Sequence, residues 1–177
     1  MSNDKSSRLS RAVLAARLPV LRLTLAAGML ATLLPASARA DWQYTRWGMT
    51  PDVAVKASNG GMKLLPVKDR EKPSPMGTVK VAEGTFQDGE FRLEVEFLID
   101  ARSGGLGCVT YRLSDLRQNA TFRQAMIRRY GMPMGGSSAP ATPVDGLAWD
   151  KPDTIQYLAT SDSAAAVIHC IKGGPMG

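Results

Sequence analysis

The chain contains one histidine, His169, and it is followed at once by Cys170, one of only two cysteines; the other is Cys108. An imidazole beside a thiol is a nucleophile-and-base pair on paper. Val167 to Ile171 reads as a strand, however, and successive strand residues point to opposite faces, so the two groups cannot meet. A serine nucleophile has no Gly-x-Ser-x-Gly turn to present it, and Cys-x-x-Cys or His-x-x-x-His spacings for zinc are missing. Gly104-Gly105-x-Gly107 leads into a strand rather than a helix, so it is not a phosphate loop. No cofactor is expected.

Carboxylates offer the next chemistry, because a glycosidase needs only two. Glu94 and Glu96 stand on one side of one predicted strand, about 7 Å apart, with Arg92 alongside. This Arg92, Glu94 and Glu96 row reads as a solvated or docking surface, and a hydrolase would need Glu94 or Asp150 in a deep pocket. Soft donors give a third possibility: Met132 and Met134 flank Pro133, and two thioethers with the His169 imidazole would select Cu(I) in an oxidising compartment.

These residues depend on a scaffold that the pattern from Gly77 to Leu113 describes. In Phe91-Arg92-Leu93-Glu94-Val95-Glu96-Phe97 apolar and charged residues alternate, the signature of a strand with one dry and one wet face. Thr78 to Phe86 precedes it through a turn at Gln87 to Glu90, and Leu106 to Leu113 follows a reversal at Asp100 to Gly105. Thr50 and Pro51 start a helix of about two turns that Asn59-Gly60-Gly61 ends. A longer helix runs from Thr121 to Tyr130, with Asn119 or Ser114 as its cap, Phe122, Ala125, Met126 and Tyr130 on one side, and Gly131 and Pro133 as its stop. Leu147 to Asp150, Thr154 to Ala159 and Ala165 to Ile171 are the last strands. Residues 63–76 and 134–146 read as exposed loops. The fold class is α+β: a mostly antiparallel sheet of about six strands with two helices packed on one face. The order of helix then strands occurs twice, without a residue-level repeat.

Residues 1–40 have the form of an export signal: five basic residues from Lys5 to Arg22, a run of apolar or small residues from Leu23 to Leu34, and Ala38-Arg39-Ala40 as a cleavage site. Twelve helical residues span roughly 18 Å, too short for a hydrocarbon core of about 30 Å. The expected mature domain is 41–177, periplasmic or secreted, with no stable membrane span. The leader holds six of the 22 basic residues and one of the 16 acidic ones, so residues 41–177 carry a net charge of only +1. A nucleic-acid partner is not expected on that balance. In an exported domain, Cys108 and Cys170 are expected to form a disulfide, two separate buried thiols being the alternative.

The landmarks Trp47-Gly48-Met49-Thr50-Pro51, then Tyr130-Gly131-Met132-Pro133 and Trp149, resemble those of small exported bacterial α/β proteins with a Gly-Met-Thr helix start and a Tyr-Gly-x-Pro helix end. The Gly-Met-Thr opening is also similar to that of small outer-membrane-assembly lipoproteins and β-lactamase-inhibitor-protein-like modules. The resemblance implies a non-catalytic helix-on-sheet binding or scaffolding domain whose partner is another envelope protein or a small ligand. The chain lacks the acylated cysteine of the lipoproteins.

Overall fold

The structure is a computed structural model that describes residues 41–136, 144–160 and 164–175. The elements, in chain order, are α1 (Pro51–Ala57), β1 (Met62–Leu64), β2 (Thr78–Asp88), β3 (Phe91–Asp100), β4 (Leu106–Leu113), α2 (Asn119–Tyr130), β5 (Gly135–Gly136), β6 (Val144–Trp149), β7 (Thr154–Thr160) and β8 (Ala164–Cys170). All strands join one antiparallel sheet in the order β1-β2-β3-β4-β8-β7-β6-β5. Because β5 is only two residues long, seven strands carry the sheet.

That order is palindromic about β4 and β8. Each half is a helix followed by four antiparallel strands, and the halves meet along the single ladder that pairs Cys108 with Cys170 and Arg112 with Ala166. The expected disulfide is formed at the end of this seam, between Cys108 and Cys170.

Alternation decides the two faces. Leu93, Val95 and Phe97 of β3 lie opposite Leu113, Tyr111 and Val109 of β4, and the same inner row continues through His169 and Val167 of β8 to Ile155 and Tyr157 of β7. All are buried. Helix α2 sits on this side: Phe122 meets Phe91 and Tyr157 edge-on or tilted, and Tyr130 meets Trp149 and His169. The Asn119 side chain accepts from the Tyr157 hydroxyl, tying the helix start to the sheet. Trp42 is buried against Phe86, Phe97 and Tyr111. Burying so much aromatic surface, at about 25 cal/mol per Å² of apolar area, is the main gain of this core.

Several local expectations change. Ahead of α1, Trp42 to Trp47 forms turns in which the Thr45 backbone and hydroxyl both bond the Trp42 carbonyl. The 63–76 stretch is not all loop: Lys63 and Leu64 belong to β1, which pairs with β2, and Val67–Asp69 forms a 3-10 turn. Within 134–146, Gly135–Gly136 pairs with β6, and β6 itself begins at Val144; residues 137–143 lie outside the described part. Helix α2 begins at Asn119 with Gln118 at its cap position, so neither Asn119 nor Ser114 caps it, and Asp115 instead caps the 3-10 turn that precedes it. Residues 1–40, expected to be an export leader, also lie outside the described residues. Among the described residues no helix is long and apolar enough to cross a membrane.

Candidate functional site

Register puts Arg92, Glu94 and Glu96 on the outer face, away from α2. One row across the sheet runs Glu83, Glu96, Thr110 and Ile168; the next runs Thr85, Glu94, Arg112 and Ala166. Glu83 and Glu96 are directly opposed, an arrangement that like charges resist. Lys80 resolves it, its ammonium lying 3.2 Å from Glu83 and 3.3 Å from Glu96. Lys80 also sits on the outer face because the register shifts between Lys80 and Ala82, which buries both Val81 and Ala82. Burial pulls the Lys80 pKa down, but the hydrogen bonds and charges of the two glutamates outweigh it and hold the ammonium above its ordinary value.

The second oxygen of Glu96 accepts from the Thr110 hydroxyl at 3.0 Å, and Glu94 accepts from Arg112 at 3.1 Å. These groups rim a shallow depression of about 300 Å³ lined by Glu83, Thr85, Glu94, Glu96 and Arg112. Arg92 is exposed, opposite Gln87. The surface can therefore supply an ordered set of alternating charges, in which Glu94 and Glu96 are held by the cross-strand partners Arg112, Lys80 and Thr110.

Of the two carboxylates that a hydrolase would need in a deep pocket, Glu94 rims this shallow depression with its side chain 54% exposed, and Asp150 follows β6 with its side chain 44% exposed. Asp150 accepts from Lys172 at 2.9 Å, and that hydrogen bond is the main reason its pKa lies below the usual carboxylate range.

His169 lies in the interior, only 2% exposed. Its Nε2 is 2.9 Å from Asp153 Oδ2, which also accepts from Trp47 Nε1 at 3.1 Å. The imidazole lies between the rings of Trp47 and Tyr130, at 5.3 and 5.9 Å. Its Nδ1 is buried without a hydrogen-bond partner among the described residues. Cys170 is oxidised, so no thiol stands beside this dyad. By contrast Met132 and Met134 are 82% and 70% exposed. The proposed copper donors thus occupy different settings: two thioethers in water and an imidazole in the core with one nitrogen already engaged by Asp153. Among the described residues no group of three or more His, Cys, Asp or Glu side chains could hold a metal.

Sequence reasoning did not single out Asp153 or link it to Trp47. The available signal was that a lone histidine on a strand's dry face needs a buried polar partner. A second cavity, about 230 Å³, lies between α2 and the β2–β3 turn, over Phe91, Phe122 and Met126. Arg129 and Asp88 close it through a bidentate pair at 2.7 and 3.0 Å. The Asp88 hydrogen bond outweighs burial and raises the Arg129 pKa.

No family model, curated protein or solved structure matches the chain.

Proposed function

We propose that residues 41–177 form a non-catalytic, exported binding module that engages a protein partner through the outer face of the first half-sheet, with both helices serving as cover for the inner face. Arg92, Glu94 and Glu96 are its central contacts, flanked by Lys80, Glu83 and Arg112. The observation that carries this reading is the arrangement of the face itself. Three consecutive strands present charges in fixed register, and Lys80, Thr110 and Arg112 already hold Glu94 and Glu96 in place, which reduces the ordering cost of binding. Alternating charges of this kind favour specificity and partner choice over raw affinity. The disulfide suits a periplasmic or secreted domain.

The test is affinity capture from an envelope extract, with the oxidised protein as bait and the Glu94→Arg/Glu96→Arg variant as comparison. Partners recovered by the native face and lost by the reversed one support the reading. Recovery of the same partners in equal amounts by both removes it.

A further inference from the structure

Met132 and Met134, the thioethers on either side of Pro133, occupy the corner between α2 and β5 and are 82% and 70% exposed. Methionine ordinarily serves as a flexible filler of cores, and the chain uses it so elsewhere: Met62 and Met126 are 3% and 2% exposed. The Met126 sulfur receives the Tyr111 hydroxyl, and the Met49 sulfur receives the Arg46 backbone N–H. At the corner, by contrast, two large apolar side chains are held in water within three consecutive residues.

The backbone that carries them is fixed by groups other than their sulfurs. The Gly131 N–H donates to the Ile127 carbonyl, and the Gly131 carbonyl accepts from Trp149 Nε1 at 2.8 Å. The Met134 N–H donates to the Ala148 carbonyl at 2.8 Å, and the ring of Pro133 sets its own φ. New chemistry at either sulfur therefore leaves the anchoring of the corner untouched. Competing thiols are also gone from the folded protein, because both cysteines of the chain are joined in the buried Cys108–Cys170 bond. The reactivity of sulfur toward oxidants follows thiolate character and exposure. With no thiolate present, exposure ranks the sulfurs that remain.

We propose that Met132 and Met134 are a paired site of reversible oxidation, at which each thioether takes one oxygen from hydrogen peroxide and is restored by a thiol-dependent sulfoxide reductase. In the forward step a sulfur lone pair attacks a peroxide oxygen, the O–O bond breaks and an S–O bond forms. Sulfur gives up two electrons, and the leaving oxygen departs as water. In the return step two thiols of the reductase supply two electrons and two protons; they become a disulfide, and the sulfoxide oxygen leaves as water. That reductase must reach the sulfur, a condition that the two exposed side chains meet and the core methionines do not. A sulfoxide is polar, so one at Met62 or Met126 would place an unsatisfied dipole in the core. At the corner it only exchanges an apolar surface for a hydrated one. This inference goes beyond the proposed partner-binding role and stands or falls separately from it.

The test is treatment of the disulfide-bonded protein with hydrogen peroxide, each methionine being followed over time by peptide mass mapping. Met132 and Met134 should each gain one oxygen at least about tenfold faster than Met62 and Met126. Met76, 45% exposed, should lag behind the pair. In denaturing urea the rates should converge, which makes burial the cause of the order. Near-UV circular dichroism and the urea midpoint of protein oxidised at the pair should match those of untreated protein and of Met132→Leu/Met134→Leu. Methionine sulfoxide reductases of both stereospecificities, with thioredoxin as reductant, should then remove both oxygens from the folded protein. Equal rates at Met62, Met76 or Met126 overturn the proposal. So does loss of the fold on oxidation of the pair, or sulfoxides at 132 and 134 that the reductases remove only after unfolding.

Discussion

Trp47 and His169 are 122 positions apart in sequence, yet both bond one oxygen of Asp153, at 3.1 and 2.9 Å. The N-terminal segment, the β6–β7 connection and the strand at the seam are thereby tied at a single buried carboxylate. Breaking such a pair by removing one partner leaves the other group desolvated and unpaired. Asp153→Ala should therefore lower unfolding free energy by about 3 kcal/mol, measured by urea denaturation. Asp153→Asn retains a carbonyl acceptor and should cost less. Equal, negligible losses in both variants would show that the buried network contributes little.

Tyr44 gives a prediction of opposite sign. Its hydroxyl is buried without a partner among the described residues, and burial pushes its pKa up to about 12. A raised phenol pKa means that folding favours the neutral form. That contribution is fully present below the unfolded value near 10 and disappears as pH rises through about 12. Tyr44→Phe removes an unsatisfied hydroxyl, so it should be neutral or slightly stabilising at pH 7. It should also reduce the fall in stability between pH 10 and 12. Thermal unfolding of both proteins across that range checks the claim. Tyr111 and Tyr130 are raised mainly by burial too, so some alkaline sensitivity remains in the variant.

Where the backbone is closest, glycine is irreplaceable. A Cβ on Gly84 would collide with the carbonyl oxygen of Gly61 and come within 2.8 Å of Met62 Cα, both backbone atoms of the α1–β1 corner. The corner cannot retreat easily, because Thr85 donates to that same Gly61 carbonyl. Gly84→Ala should cost about 3 kcal/mol, at the upper end of overpacking effects. Gly146→Ala meets nothing closer than the Leu158 side chain at 3.7 Å and should change stability by less than about 0.5 kcal/mol. Equal midpoints in guanidinium chloride for the two variants would contradict the close approach.

The central strands were legible for a physical reason. The alternation in Phe91 to Phe97 is long enough to define a face, and Gly131, with φ of 82°, ends α2 where its sequence indicates. The edges were not legible, because Met62–Leu64 and Gly135–Gly136 are too short to show a period and exist only through pairing with β2 and β6. That is why about six strands were expected where seven carry the sheet. The row of Arg92, Glu94 and Glu96 could be placed on the wet face from alternation alone. Its partners Lys80 and Thr110 could not, since the register shift beside Lys80 decides which way that side chain points. Asp153 belongs to the same class: nothing local marks a turn aspartate as the acceptor for a tryptophan 106 residues earlier.

The Cys108–Cys170 bond joins the two half-sheets across their one hydrogen-bonded seam, closing a sequence separation of 62 residues. Without it, each half would keep its own meander but the unfolded chain would gain freedom. The loop-entropy treatment puts that effect at about 4 kcal/mol. The β4–β8 ladder and the aromatic contacts of α2 with both halves remain in the reduced protein, so its fold should persist with weaker coupling. The Cys108→Ala/Cys170→Ala variant should unfold at lower urea concentration, by a difference approaching that figure. Its amides in β4 and β8 should lose hydrogen-exchange protection relative to those in β2 and β3. A variant as stable as the oxidised protein, with seam protection intact, would mean that side-chain packing alone holds the halves together.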